Sequence, residues 1–253
     1  MTNLQDSSGL PLIFNSHDNS LQISSDLSVG MIDRVKLDSI RPILLNRTLH
    51  YPLQVYTEYS DITLTHHASL FKTHKIHYNI LILPSGLLGI EYNKTHIFSP
   101  DNDRNEITLI ADIIYGSGII LIQSVDKVET TDNEPCVDFA AMYKVKKGDR
   151  IAIPQKYMYT FVNTSNNPLI IGRLFEDDGK IDYRTLKREQ GMAYYFIRKN
   201  ARREIVRNPR YKTCTKLKNI SALESITRYR LTSVKPIYSQ VIENAERFKK
   251  LLV

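Results

Sequence analysis

Histidine, glutamate and tyrosine carry most of the chemistry this chain could perform. All seven histidines (17, 50, 66, 67, 74, 77 and 96) fall within the first 96 of 253 residues. His66 and His67 are adjacent, and His74 and His77 are three apart. On extended strands, where side chains alternate with period two, each pair faces opposite sides and cannot grip one ion. Cys136 and Cys214 form no CxxC pair, so neither a zinc knuckle nor a thioredoxin-type redox motif is present. A reduced, cytosolic protein follows most simply from two unpaired cysteines.

Charge is unevenly spread. The net charge is +7, yet residues 180–253 hold 19 Lys and Arg against 6 Asp and Glu. Residues 1–179 carry a net −6. The densest basic run is RKNARR (198–203). A nucleic-acid or phosphate partner fits this asymmetry. A solvated face paired with the acidic body accounts for the same charges, and the absence of an aromatic–glycine RNA motif or a recognition-helix signature makes nucleic acid unlikely.

The elements that position these residues are mostly strands. Short β-rich runs recur at LQVYTEY (53–59), DITLTHH (61–67), KIHYNILIL (75–83), LGIEYN (88–93), EITLIADIIY (106–115), GIILIQSV (118–125), DFAAMYKV (138–145), DRIAIP (149–154), YTFVNT (159–164) and LIIGRLF (169–175). Turn signals such as PSG (84–86), GSG (116–118) and KGD (147–149) bound them. Many short strands at this spacing predict a sandwich or barrel rather than βαβ units. Residues 31–47 show a short helical pattern broken by Pro42, which has no amide hydrogen to donate within a helix. Ile237, Val241, Ala245, Phe248 and Leu252 make one apolar helical face, and SALESITRYR (221–230) reads as a further short helix. Composition divides the chain into a loosely ordered polar arm (1–30), a β domain (31–212) and a basic helical extension (213–253). No run approaches the ~18 apolar residues of a membrane helix, and the polar start MTNLQDSSG does not read as a signal peptide.

One stretch resembles the second motif of the cupin fold: KVKKGDRIAIPQKYMYTFVNTSNNPLIIGRLF (144–175), with Gly148, Asp149, Pro154 and Asn163 in place. PLQVYTEY (52–59), LILPSGLLGIEY (81–92), GSGIILIQ (116–123), LFEDDGKIDY (174–183) and REIVRNPRYK (203–212) are similar, in order, to segments of the archaeal cupin-type glucose-6-phosphate isomerases. The resemblance covers about residues 11–212 and implies an all-β fold. That fold is the cupin double-stranded β-helix, a jelly-roll barrel, here with a short N-terminal helix and a C-terminal helical extension. It also implies a homodimer and the interconversion of glucose 6-phosphate and fructose 6-phosphate. In the family a divalent metal (Fe, Ni, Mn or Zn) polarises the sugar carbonyl while a carboxylate moves the proton.

The resemblance assigns residues one by one. His96 stands for the first metal ligand, Phe98 replaces the second, and Glu106 falls one residue from the family's glutamate. Counting back from Gly116 puts Leu109 there instead, and Tyr159 occupies the last ligand position. Glu106 and Tyr159 are thus the catalytic candidates, and His96 with Glu106 the metal pair. A neutral phenol of pKa ~10 is a poor ligand for a divalent ion, so the residues present favour no metal. Thr95 matches a family threonine that contacts the sugar phosphate, although strand propensity explains a threonine equally well. Tyr183 matches a family tyrosine near the site, with Ile181 where its preceding histidine would be. Lys94 or Lys156 could add charge near the phosphate. An isomerase with an altered site, a non-catalytic sugar-phosphate-binding cupin, and a nucleic-acid binder acting through the basic third are the functions these features allow.

Overall fold

The computed structural model describes residues 1–98, 107–124, 136–176, 183–231 and 234–252. The N-terminal segment forms β1 (Thr2–Asn3), α1 (Gln5–Ser8), β2 (Ile13–Asn15), β3 (Ser20–Gln22) and β4 (Leu27–Ser28). Next come β5 (Met31–Lys36), α2 (Leu37–Ile40), β6 (Gln54–Ser60), β7 (Thr63–Leu64), α3 (Ala68–His74), β8 (His77–Leu83), β9 (Leu87–Leu88) and β10 (Glu91–Tyr92). The body continues through β11 (Ile107–Tyr115), β12 (Ser117–Gln123), β13 (Ala140–Lys146), β14 (Arg150–Pro154), β15 (Met158–Val162) and β16 (Leu169–Phe175). After α4 (Tyr183–Arg188) follow β17 (Tyr194–Lys199), β18 (Arg202–Arg207) and β19 (Lys218–Ile220). Three helices close the chain: α5 (Ala222–Tyr229), α6 (Ile237–Glu243) and α7 (Ala245–Leu252).

Two sheets face each other. One has the order β14-β11-β16-β8-β6-β5 and the other β15-β12-β13-β19. Every pairing within them is antiparallel except β13 with β19. Two stacked antiparallel sheets are what the strand runs predict, and they agree with the jelly roll that the resemblance implies. The sheets are not joined edge to edge among the described residues, so the barrel is an open two-sheet form. Leu81, Leu83, Leu109, Ile113, Leu169 and Ile171 of the larger sheet meet Ile119, Leu121, Tyr159 and Phe161 of the smaller.

The larger sheet is covered on its other face too. Tyr78, Ile80, Ile82, Ile110, Ile170 and Leu174 pack there against Leu4, Leu10, Leu12 and Phe14 from the N-terminal segment and Ile237, Val241, Phe248 and Leu252 from the tail. Burial on both faces is why these strands read as nearly continuous apolar runs rather than alternating ones. Residues 1–30 are polar in composition, yet those four side chains are fully buried. In place of a loosely ordered arm stands a three-stranded sheet, β1-β2-β3.

Other local expectations shift for physical reasons. The helical pattern over 31–47 starts with a strand, because β5 pairs along β6 as the sheet's edge; helix begins only at Leu37, and Pro42 sits in the 3-10 turn that follows. His66 and His67 lie in a 3-10 turn, with ring centroids 4.1 Å apart, instead of on opposite faces of a strand. His74 ends α3, and Lys75 at φ 54° breaks the chain before β8. The tail's single helical face is split at Asn244, yet all five of its predicted apolar residues are buried. Ser221 and Glu224 form the capping box that starts α5.

Asp112 fastens the tail to the sheet. Its carboxylate accepts from Arg150 Nε at 3.1 Å and from the Ile237 amide at 2.9 Å. Burial pushes its carboxyl up to about 6 against the pull of Arg150. Between pH 3.8 and that value the native state holds a proton that the unfolded chain releases. Asp112 therefore stabilises more below this window, and the contribution is lost as pH rises through it, by up to about 3 kcal/mol. Asp112→Asn is expected to flatten the wild-type pH slope of unfolding free energy in that window, measured by urea titration. An unchanged slope would show that Asp112 does not titrate there.

Candidate functional site

The turn residues behave as their types require. Gly148 has φ 90° and Asp149 Oδ2 accepts the Lys146 amide at 2.8 Å, giving the tight β13–β14 turn. Asn163 is fully buried; its Nδ2 donates to the carbonyls of Leu83 and Asn167, and its Oδ1 accepts from Ser165. These contacts hold β15 so that Tyr159 and Phe161 face the larger sheet.

Segment 94–98 runs antiparallel along the edge of β15, bridging Lys94 to Val162 and Phe98 to Tyr159. The Phe98 and Tyr159 rings stack with centroids 5.0 Å apart. The guanidinium of Arg173 lies 4.2 Å above the Phe98 ring, within cation–π range. Arg173 is wholly buried. It reaches the interior because β16 alternates, placing Leu169, Ile171, Arg173 and Phe175 on its inner face. Its Nη1 donates to Glu58 Oε1, and its Nη2 donates to the Tyr159 hydroxyl at 3.2 Å. Asn79, opposite Arg173 on β8, donates to the same Glu58 oxygen at 2.8 Å.

The Glu58 side opens toward solvent. Asp33 is directly opposite Glu58 across the β5–β6 pair and is exposed. The Tyr56 hydroxyl lies 2.6 Å from His96 Nδ1. Burial lowers the imidazole's pKa, while the charges of Asp33 and Glu58 pull it upward. A neutral imidazole beside a phenol can pass a proton, and two carboxylates nearby can accept hydrogen bonds from hydroxyls. The result is a rim of exposed Asp33 and partly exposed Glu58 and His96, with the buried Tyr56 hydroxyl beneath it on His96, above an interior closed by Phe98, Tyr159 and Arg173.

The expected site residues separate accordingly. His96 and Tyr159 line this region on adjacent segments. Lys94 does not: its ammonium is buried against Glu91 and donates to the Ile43 carbonyl at 2.9 Å. The Thr95 hydroxyl donates to the His96 carbonyl at 2.8 Å, accepts from the Phe161 amide at 3.1 Å and lies 3.2 Å from the Thr160 hydroxyl. Thr160 points to the opposite face of β15 from Tyr159, so that hydroxyl is already engaged away from the rim. Lys156 is exposed, with its ammonium 5.2 Å from the Tyr157 ring. Glu106 lies outside the described residues. Tyr183 opens α4, and its side chain is likewise outside them.

The metal expected from the resemblance does not suit the residues present. Two of its positions hold stacked rings, and a fixed guanidinium fills the space beside them. No group of three or more His, Cys, Asp or Glu residues able to hold a metal occurs among the described residues. Arg173, Glu58, Asn79 and Tyr56 were not singled out by sequence reasoning. The available signal was a charge at an inward position of an otherwise apolar strand, in LIIGRLF and again in LQVYTEY.

A family model described as glucose-6-phosphate isomerase (GPI) matches residues 48–213. No curated protein matches. Among solved structures, the coconut allergen cocosin is 13% identical with a TM-score of 0.34, covering 62% of this chain and 34% of that one. An oxalate decarboxylase of Bacillus subtilis is 16% identical with a TM-score of 0.32, covering 51% and 28%. A vicilin of Corylus avellana (hazelnut) is 12% identical with a TM-score of 0.31, covering 52% and 31%. The chain thus spans about a third of the length of these structures or less.

Removing one partner of the interior ion pair strands the other. Arg173→Met is expected to cost about 3–5 kcal/mol of stability, and Glu58→Gln on that background to recover part of it. Urea titration of both singles and the double reads this directly, and strictly additive losses would disprove the pairing. Histidine NMR should place the His96 titration below the ordinary value of 6.5.

Proposed function

Because the chain belongs to the glucose-6-phosphate isomerase family, over residues 48–213, we propose that it is a cupin that binds a sugar phosphate without metal-assisted isomerisation. The observation that carries this reading is Arg173, a buried permanent cation laid on Phe98 and bonded to Tyr159 and Glu58. A divalent ion in the same space would be repelled by it. What supports recognition of a sugar is the rim: carboxylates at Asp33 and Glu58 and an imidazole at His96, backed by the buried Tyr56 phenol, suit the donors and acceptors of a hexose.

A second reading follows from the Tyr56–His96 contact. An imidazole and phenol 2.6 Å apart form a proton-transfer pair that could carry hydrogen between C1 and C2 of a bound sugar with no metal.

Calorimetry and a coupled isomerase assay separate the two. Saturable binding of glucose 6-phosphate is expected, with no turnover when Fe²⁺, Ni²⁺, Mn²⁺ or Zn²⁺ is added. Glu58→Gln and His96→Ala should each weaken binding by about fivefold to tenfold, the loss of one hydrogen bond of about 1 kcal/mol. Metal-stimulated turnover would defeat the proposal. Turnover without metal, with deuterium entering the sugar from D₂O and lost in His96→Ala, would establish the second reading. Equal affinity for plain glucose would remove the phosphate from both.

A further inference from the structure

The basic run RKNARR (198–203) forms the tip of a hairpin. β17 and β18 form a hairpin whose register pairs Arg198 with Arg203 and Lys199 with Arg202. Like charges placed directly opposite each other destabilise a strand pair. Here two such pairs are stacked at one tip. The turn between them is the two-residue Asn200–Ala201, with φ of 48° and 59°. Both values are positive, as in the type I′ turn that binds antiparallel strands tightly, so the tip is held in shape.

Little on the protein offsets this charge. Arg198, Lys199, Arg202 and Arg203 are all exposed. Among the described residues Arg203 donates to Thr164 Oγ1 at 3.1 Å, while Arg198, Lys199 and Arg202 enter no side-chain hydrogen bond or ion pair. Glu204 is the one acidic residue within the hairpin, and residues 183–220 hold twelve Lys and Arg against two Glu. The expectation that the basic third is neutralised by the acidic body fails at this tip.

We propose that this hairpin is a docking arm for duplex DNA. β17 also pairs with β10 as far as the Arg198 amide, which donates to the Ile90 carbonyl at 2.8 Å, so the two-stranded part is the projecting tip; a two-stranded ribbon fits the B-form major groove, about 12 Å wide. Alternation puts Arg198 and Arg203 on one face of the ribbon and Lys199 and Arg202 on the other. Cations on both faces suit a groove walled by phosphates on both sides, and suit a one-sided anionic surface less well. Duplex RNA offers a deep, narrow major groove that a ribbon cannot enter. Single strands are held by stacking on exposed aromatic rings, and Tyr195 and Phe196 of this hairpin are buried. The contacts are to phosphates, so binding is independent of sequence.

Fluorescence anisotropy with the full chain and a labelled mixed-sequence duplex of about 25 base pairs tests this. With three to four phosphates neutralised, affinity is expected to fall about a hundredfold between 50 and 200 mM NaCl. The double variant Lys199→Glu/Arg202→Glu, whose side chains hold no contact in the fold, should bind at least tenfold more weakly at 50 mM. Lys249→Glu/Lys250→Glu in α7 makes the same change in net charge and should lose far less. No binding at 50 mM, or equal losses in the two variants, overturns the proposal. Binding to phosphatidylserine vesicles in preference to the duplex would assign the arm to a membrane surface and likewise overturn it.

Discussion

A guanidinium enclosed between two β-sheets constrains everything around it. Arg173 cannot lose its proton at any ordinary pH, so its charge must be met inside the fold. Glu58 meets it, Asn79 fixes Glu58, and the Phe98 ring and Tyr159 hydroxyl take up the rest. Five side chains on four strands and the 94–98 segment are thereby set by one ion. From the guanidinium alone, a divalent cation ~5 Å away would meet a repulsion of roughly 7 kcal/mol at an effective dielectric of ~20, which the Glu58 carboxylate offsets in part. The region that the resemblance aligns with a metal site holds a largely buried ion pair beside two stacked rings.

The larger sheet imposes the second constraint. β8, β11 and β16 are apolar on both faces and must be covered twice. The smaller sheet covers one side. The N-terminal segment and the helical tail jointly cover the other, with Asp112 holding the start of α6 in register. Residues 1–30 and 234–252 are accordingly parts of the same core, although their composition differs sharply from that of the strands.

That difference explains what could be read from the sequence. Strands buried on both sides, such as EITLIADIIY and LIIGRLF, announce themselves by unbroken β-branched runs between turn residues. Gly148, Asp149 and Asn163 announce their turns because few other residues serve there. Met31–Lys36 reads as helix because an edge strand with one wet face lacks a strong period, and its state is decided by pairing with β6. His66, His67 and His74 read as strand residues from the sequence, but a short helical segment overrides alternation. Of the candidate site, His96 and Tyr159 were legible through the resemblance. Thr95 and Lys94 were legible as residue types, but their partners, Thr160, Glu91 and the Ile43 carbonyl, are supplied by tertiary contacts that no local pattern encodes.

The same separation bears on what family membership transmits. The turns and the doubly buried strands do not depend on which side chains project into the space between the sheets. Phe98 and Tyr159, which the resemblance sets at ligand positions, are paired by a backbone bridge that makes no demand on their side chains. With rings at these positions, the partly buried Glu58 carboxylate and the buried Tyr159 hydroxyl find a partner in the inward-facing Arg173. Architecture then persists under a different interior chemistry, so the family fixes the scaffold here while the reaction must be argued from Arg173, Glu58 and His96 themselves.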